Sequence, residues 1–254
     1  MRLLTAIPVY NEERHLLGVL KQVRRYSPEI LIVDDGSTDR TAELLARQRD
    51  IRVIRHGHNR GYGAALISAF AYAQEQDFQV LVTTDCDGQH EPARIPVLRE
   101  AIHDADIVSG SRYLRNFRQD SHAPEDRRQI NEQITTELNA RFGSHLTDAF
   151  CGFKAYRTCT LARLRITETG WGMPLQLWVQ AFRLGLRIKE VAVPRIYLDP
   201  NRAFGGVLND AAERLAYYRQ VITNAERDPL PGELKRSASS SPCLEMLSCE
   251  EMCW

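Results

Sequence analysis

Short apolar runs alternate with amphipathic stretches along the first half of the chain, and this alternation predicts the fold class. Residues 3–7 form a first strand, ended by Pro8, and residues 30–33, 51–55, 80–82 and 106–110 form four more. Helical periodicities lie between them. Residues 12–26 set Leu16, Leu17, Leu20 and Val23 on one face, residues 39–49 start from a Ser37 cap, and residues 64–76 and 92–103 follow. Five strands separated by helices imply an α/β fold, with a mostly parallel central sheet flanked by helices and right-handed crossovers. In such sheets ligands sit at the carboxyl ends of the strands, where this chain places Tyr10, Asp35 and Asp85.

Past Arg112 the pattern loosens. A polar stretch to residue 126 carries Arg112, Arg115 and Arg118 and leads into a helix over 127–142. Residues 150–156 read as a strand, 172–184 as a helix, 186–193 as a strand and 199–206 as a loop. A terminal helix over 208–223 places Leu215, Tyr218 and Val221 on or near one face. From Ala225 onward Pro, Ser and charged residues dominate, and residues 225–254 read as a disordered tail.

Composition narrows the function classes. A chain of 254 residues suits one large domain with a substantial core. Lys+Arg and Asp+Glu both number 33, so net charge is zero and the basic footprint of a general nucleic-acid binder is missing. No run approaches the about 18 apolar residues of a membrane span. The N-terminus carries no secretory pattern, and the six cysteines match neither a zinc nor a disulfide framework, so a soluble, cytoplasmic, reducing setting is the expectation.

The chemistry gathers at strand ends. Thr-Thr-Asp-Cys-Asp-Gly-Gln-His at 83–90 sets Asp85 and Asp87 at alternate positions just past the fourth strand, where both can point into one crevice and share a hard cation. Mg²⁺ or Mn²⁺ suits such oxygen ligands and stays bound to substrate phosphates as well. Taken alone, this DxD pair reads more readily as two loop carboxylates beside a Gly88 turn, and it is the accompanying motifs that reverse the balance. After the first strand, Tyr10 can stack on a base and Glu12 accept from base or ribose; equally, Asn11 is a helix cap and Glu12 a first-turn acid. Asp35, in Val-Asp-Asp-Gly-Ser, can accept from a base N–H or ribose hydroxyls, or simply belong to an Asp-Gly turn. Asn-Arg-Gly-Tyr-Gly at 59–63 opens a helix without matching the dinucleotide fingerprint, and close backbone packing accounts for its glycines. Arg112 stands just past the fifth strand, where its fork suits a diphosphate. Asp148 could be a general base, whereas Phe150, Phe153, Tyr156 and Cys151 read as core.

Taken together and in this order, the stretches PVYNEE, IVDDGSTDRT, NRGYGAA, DCDGQH, IVSGSRY, DAFCGFKAYR and KEVAVPRIYLDPNR resemble the family 2 glycosyltransferases, in particular the dolichyl- or polyprenyl-phosphate mannose synthases. The resemblance runs from Leu3 to Arg202. It implies one GT-A-type nucleotide-diphospho-sugar transferase domain over 1–224, with a nucleotide-sugar-binding half at 1–113 and an acceptor half at 114–224. It implies a nucleotide-sugar donor, GDP-mannose or a UDP-sugar, and inverting transfer to a lipid phosphate at the cytosolic membrane face. By residue, it implies nucleotide contacts from Pro8, Tyr10, Glu12, Val33 and Asp35. Ribose and diphosphate contacts would come from Asp85, Cys86 through its backbone, and Asp87. Asp87 and Gln89, with Asp85, would hold the metal, and Arg112 and Arg202 the phosphates. An acceptor phosphate is already ionised near neutral pH and needs no protein base; a hydroxyl acceptor needs one, for which Asp148 is the candidate.

Departures from the family pattern fall in the acceptor half. Val207 and Leu208 stand where relatives carry a serine and a lysine, Gln176 where they carry a glutamate, and Asn131 where they carry a serine. The chain shows no hydrophobic C-terminal anchor, so membrane contact is expected to be peripheral, through Tyr217, Tyr218 and nearby basic residues. Two further readings accompany the mannosyltransferase: a soluble family 2 transferase acting on a hydroxyl with Asp148 as base, and a non-catalytic nucleotide-sugar-binding module.

Overall fold

The computed structural model describes residues 1–198 and 204–230. Their order is β1 (Leu3–Val9), α1 (Leu16–Val23), β2 (Ile30–Asp34), α2 (Thr41–Ala46), β3 (Arg52–Arg55), α3 (Tyr62–Glu75), β4 (Val80–Thr83), α4 (Ile95–Ala101) and β5 (Ile107–Ser111). Then follow α5 (Glu125–Phe142), β6 (Lys154–Arg157), α6 (Thr158–Leu161), α7 (Met173–Arg183), β7 (Ile188–Ala192) and α8 (Ala211–Arg227). The seven strands form one sheet in the order β3-β2-β1-β4-β6-β5-β7. Its pairings are parallel except for β6, which runs antiparallel to both β4 and β5.

The period-2 alternation of each strand splits the core into two layers. Leu4, Ala6, Leu31, Val33 and Leu81 face α3, α5, α7 and α8, where Leu66, Phe70, Ile134, Leu138, Trp178 and Ile222 complete one cluster. Leu3, Ile7, Val9, Ile30, Ile32, Val80, Val82 and Val108 face the other way, onto Leu16, Leu20, Val23, Ile95 and Leu98 of α1 and α4. Each such fully buried aliphatic side chain contributes about 1.5–3 kcal/mol, so the sheet is fixed from both sides.

Several sequence expectations shift by local physics. Pro8 lies inside β1, opposite Val33, rather than ending it. β4 pairs with β1 only through Ala6, so the N–H that Pro8 lacks is not missed on that side. On α1 it is Val19 that is buried, while Leu17 is 45% exposed. Ser37 is not a helix cap; its hydroxyl accepts from Asn11 N–H, and α2 is the shorter segment from Thr41. Of the predicted 150–156 strand only 154–156 pair, the strand running on to Arg157, because 148–153 turn into the site instead. Tyr218 is buried, which removes its ring as a membrane contact, while Tyr217 is half-buried, its hydroxyl donating to Glu168 and accepting from Gly172 N–H. α8 starts on Asp210, whose Oδ1 accepts from Ala212 and Glu213 N–H, and it runs to Arg227, three residues past the expected domain end at 224. Residues 231–254 of the expected tail, and Arg202, lie outside the described residues. No helix among the described residues is long and apolar enough to cross a membrane.

Candidate active site

The carboxyl ends of β1, β2, β4 and β5 open on the same edge of the sheet. The reversed direction of β6 adds a fifth contribution. Because Lys154 pairs with Thr83 at the end of β4, the segment leading into β6 must arrive at that same edge, carrying Asp148 and Gly152 with it.

The β1 and β2 ends are tied together. Asn11 adopts φ +55°, a conformation its short amide tolerates, and its Oδ1 accepts from Thr38 N–H at 2.8 Å. The N–H of Glu12 donates to Thr41 Oγ1 at 2.9 Å, and Glu12 is buried. Tyr10, between these anchors, stands 44% exposed. Asp34 turns inward and accepts from Ser37 N–H. Asp35 accepts from His56 Nδ1 at 2.6 Å and from the N–H groups of Arg60 and Gly61 at 2.9 and 2.8 Å. Val33 is fully buried between these ends, so its side chain is core and only its main chain is left for a ligand.

At the end of β4, Asp85 accepts from the Tyr62 hydroxyl at 3.2 Å. Its own N–H donates to His90 Nδ1 at 3.1 Å, which places the ring proton on Nε2, 3.7 Å from Asp85 Oδ2. The His90 ring is held flat against Phe153, with centroids 5.1 Å apart. Asp87 Oδ1 accepts from Gln89 N–H at 3.0 Å, and Cys86 between the two acids is buried in the core. Gly152 abuts this carboxylate: a Cβ there would stand 2.6 Å from Asp85 Oδ2 and 2.8 Å from the Tyr62 hydroxyl. Tyr62 is itself placed by a close backbone approach, since a Cβ on Gly63 would stand 2.3 Å from the carbonyl oxygen of Glu168. The glycines of Asn-Arg-Gly-Tyr-Gly thus serve packing, as the sequence suggested.

Asp85, Asp87 and the Gln89 amide supply oxygen donors only, which is the set a hard divalent cation takes. Among the described residues no cluster of three or more His, Cys, Asp or Glu side chains makes a complete protein cage. Two carboxylates and an amide suit an ion that shares its remaining positions with substrate phosphates and water.

At the end of β5 the arrangement departs from the sequence expectation. Arg112 Nε and Nη2 donate to the two oxygens of Asp148 at 2.7 and 2.9 Å, and Arg112 and Phe150 N–H donate to the same carboxylate. Burial alone would push the Asp148 carboxyl up, but the guanidinium outweighs it and holds the group below its ordinary value. A carboxylate so held is a poor proton acceptor. Arg112 Nη1 donates to the Tyr197 hydroxyl at 3.1 Å, and Arg127 lies between the rings of Tyr197 and Phe204, 6.0 and 5.0 Å from their centroids. Two cations therefore meet at Tyr197. Beneath Asp148, Glu190 accepts from Thr147 and Asp148 N–H. Lys154 is buried over the Trp178 ring, donating to the Cys151 carbonyl oxygen, and burial holds its ammonium below the ordinary lysine value.

His56, Tyr62, His90, Gly152, Lys154 and Tyr197 carry no role in the sequence reading. Only Lys154 had a usable signal, a lone cation inside an otherwise apolar strand.

The sequence signature of Glycosyl transferase family 2 matches residues 5–164. The chain is 33% identical to the undecaprenyl-phosphate mannosyltransferase of Micrococcus luteus, over 83% of this chain and 91% of that one. It is 30% identical to the polyprenol monophosphomannose synthase of Mycolicibacterium smegmatis, over 76% of each. Among solved structures, the glucosyl-3-phosphoglycerate synthase of Mycobacterium tuberculosis in complex with UDP superposes with a TM-score of 0.69 at 19% identity, covering 91% of this chain and 82% of that one. The same synthase with Mn²⁺, UDP and phosphoglyceric acid gives 0.68. That likeness establishes the GT-A fold, and with the sequence signature covering every strand end that builds the site, the chain belongs to Glycosyl transferase family 2.

Proposed function

We propose that this glycosyltransferase moves a sugar, mannose from GDP-mannose in the first instance, with inversion onto the phosphate of a polyprenyl lipid. The observation that carries the reading is the state of Asp148. Its carboxylate is committed to Arg112, so the acceptor half offers no ready base at this position. An acceptor phosphate is its own nucleophile at neutral pH, whereas a hydroxyl acceptor is not. The relatives named for undecaprenyl-phosphate and polyprenol mannosyl transfer support the same choice of acceptor.

The division of labour follows from the site. Tyr10 stacks on the donor base, with Glu12, Asp35 and the main chain at Pro8 and Val33 around base and ribose. Asp85, Asp87 and Gln89 would hold Mg²⁺ or Mn²⁺, with the Cys86 main chain against the diphosphate. When bound, the cation supplies Lewis-acid stabilisation of the charge that develops on the leaving diphosphate. Arg112, oriented by Asp148, presents Nη1 beside Tyr197. With Arg127 it forms a cationic pair that can take the acceptor phosphate, and Arg202 is assigned to the same task. Lipid acceptors place the enzyme at a membrane face, as a peripheral protein.

The test is sugar transfer to a short-chain polyprenyl phosphate from GDP-mannose and UDP-glucose in parallel, with Mn²⁺, Mg²⁺ or chelator. Lipid-linked product from GDP-mannose, lost with chelator, is expected. Donor hydrolysis without lipid product would retain the donor half and overturn the acceptor.

A further inference from the structure

Behind Asp35 lies a buried polar chain that the transfer chemistry does not use. His56 Nδ1 stands 2.6 Å from Asp35 Oδ1, and His56 Nε2 stands 2.9 Å from Ser68 Oγ on α3. The His56 and Asp35 side chains are 4% and 5% exposed. A carboxylate can only accept, so Nδ1 carries the proton and donates to Asp35. In the neutral ring Nε2 is then the acceptor of the Ser68 hydroxyl. Burying such a line of polar groups is unfavourable unless each finds its partner, and here each does.

The consequence falls on Asp35. Two oxygens offer roughly four acceptor sites. His56 and the N–H groups of Arg60 and Gly61 fill three, two of them on Oδ1. One site is left, on Oδ2, and it can take only a donor. Asp35 N–H in turn donates to Val9 O, next to the exposed Tyr10 ring, so the fixed carboxylate sits beside the surface assigned to the base. Guanine and uracil both present a ring N–H; adenine and cytosine present a bare ring nitrogen at the corresponding edge. A fixed acceptor with one vacancy accepts the first pair and leaves two acceptors facing each other with the second.

We propose that His56, steadied by Ser68, is a positioning residue that sets selection of the donor base by holding Asp35 in this one orientation. The proposal rests on the donor-site assignment made above. A purely structural role for His56 would lower affinity for every nucleotide by one factor, the fraction of competent protein. A role in reading the base changes the ratio between nucleotides.

The experiment is calorimetric titration of the full chain with GDP, UDP, ADP and CDP at saturating Mn²⁺, for wild type, His56→Leu, His56→Asn and Ser68→Ala. Wild type is expected to prefer GDP or UDP over ADP and CDP. His56→Leu removes a hydrogen bond to a charged group and should shrink that ratio about 10- to 100-fold. Ser68→Ala should shrink it about fivefold, as for a neutral hydrogen bond. His56→Asn, whose amide N–H can replace Nδ1–H, should restore most of it. A wild type that binds no diphosphate, or all four alike, overturns the donor-site assignment itself. A wild type that discriminates, with a His56→Leu protein that keeps the ratio, overturns the role of His56 alone. Should His56→Leu fail to fold, Ser68→Ala decides, and an unchanged ratio overturns the proposal.

Discussion

Replacing Asp148 separates a proton acceptor from an orienting group. Asp148 is fully buried and bonded through both oxygens to Arg112, whose side chain is 18% exposed. Removing one partner of a buried pair costs about 3–5 kcal/mol, chiefly by leaving the other charge uncompensated. Arg112 keeps some water and its bond to Tyr197, so about 3 kcal/mol is expected for Asp148→Asn. For a chain of this size that lowers Tm by roughly 6–12 °C. Replacing both residues, Arg112→Met with Asp148→Leu, should recover most of that loss, because an apolar pair of similar volume is often neutral. Transfer should follow the same coupling. If Asp148 acts by orienting Arg112, then Asp148→Asn, Arg112→Met and the double variant lose similar amounts of kcat/KM, and Asp148→Asn keeps measurable turnover. Thermal unfolding, with initial-rate kinetics on the four proteins, supplies both readouts. An Asp148→Asn protein of wild-type Tm that binds donor yet has no turnover would refute the orienting role and restore the base.

Three further outcomes follow from the geometry. Gly152→Ala brings a methyl to 2.6 Å from Asp85 Oδ2, so it should lower kcat and Mn²⁺ affinity about tenfold or more while shifting Tm little, checked by metal titration of activity. Gly63→Ala instead meets the Glu168 carbonyl oxygen at 2.3 Å, part of the backbone, and should lose about 1–3 kcal/mol in denaturant unfolding. The Arg112–Asp148 pair predicts an acid limb: the folded-state pKa of Asp148 lies below 3.8, so its contribution is full above that value and is lost as pH falls through the lower folded-state value. The stability gap between wild type and Asp148→Asn should therefore be constant from pH 7 to 5 and close in stronger acid, and a gap that closes above pH 5 would contradict the assignment.

Much of the first half of the chain was legible because its signals are local. Period-2 runs ending in Tyr10, Asp35 and Asp85 fix which residues reach the sheet edge, and parallel crossovers fix that they reach the same edge. The second half was less legible because its signals are not local. Nothing in the periodicity of residues 154–157 states that β6 runs backwards between β4 and β5, yet that reversal delivers Asp148, Gly152 and Lys154 to the site. Asp148 and Arg112 each read as free functional groups, and only their pairing, 36 residues apart, shows that one occupies the other. Tyr218 read as an interfacial aromatic because a helix face cannot reveal what packs over it. His56 was silent for a similar reason, since its partners are Asp35 and Ser68 rather than its neighbours in sequence.

The most direct measurement compares acceptors. GDP-mannose with Mn²⁺ is offered a polyprenyl phosphate and the matching polyprenol, and lipid-linked mannose is followed from pH 6 to 8. Product with the phosphate alone, at a rate without a protein-carboxylate inflection, is the expected result. Mannosyl-polyprenol, or transfer confined to a hydroxyl acceptor and abolished by Asp148→Asn, would contradict it.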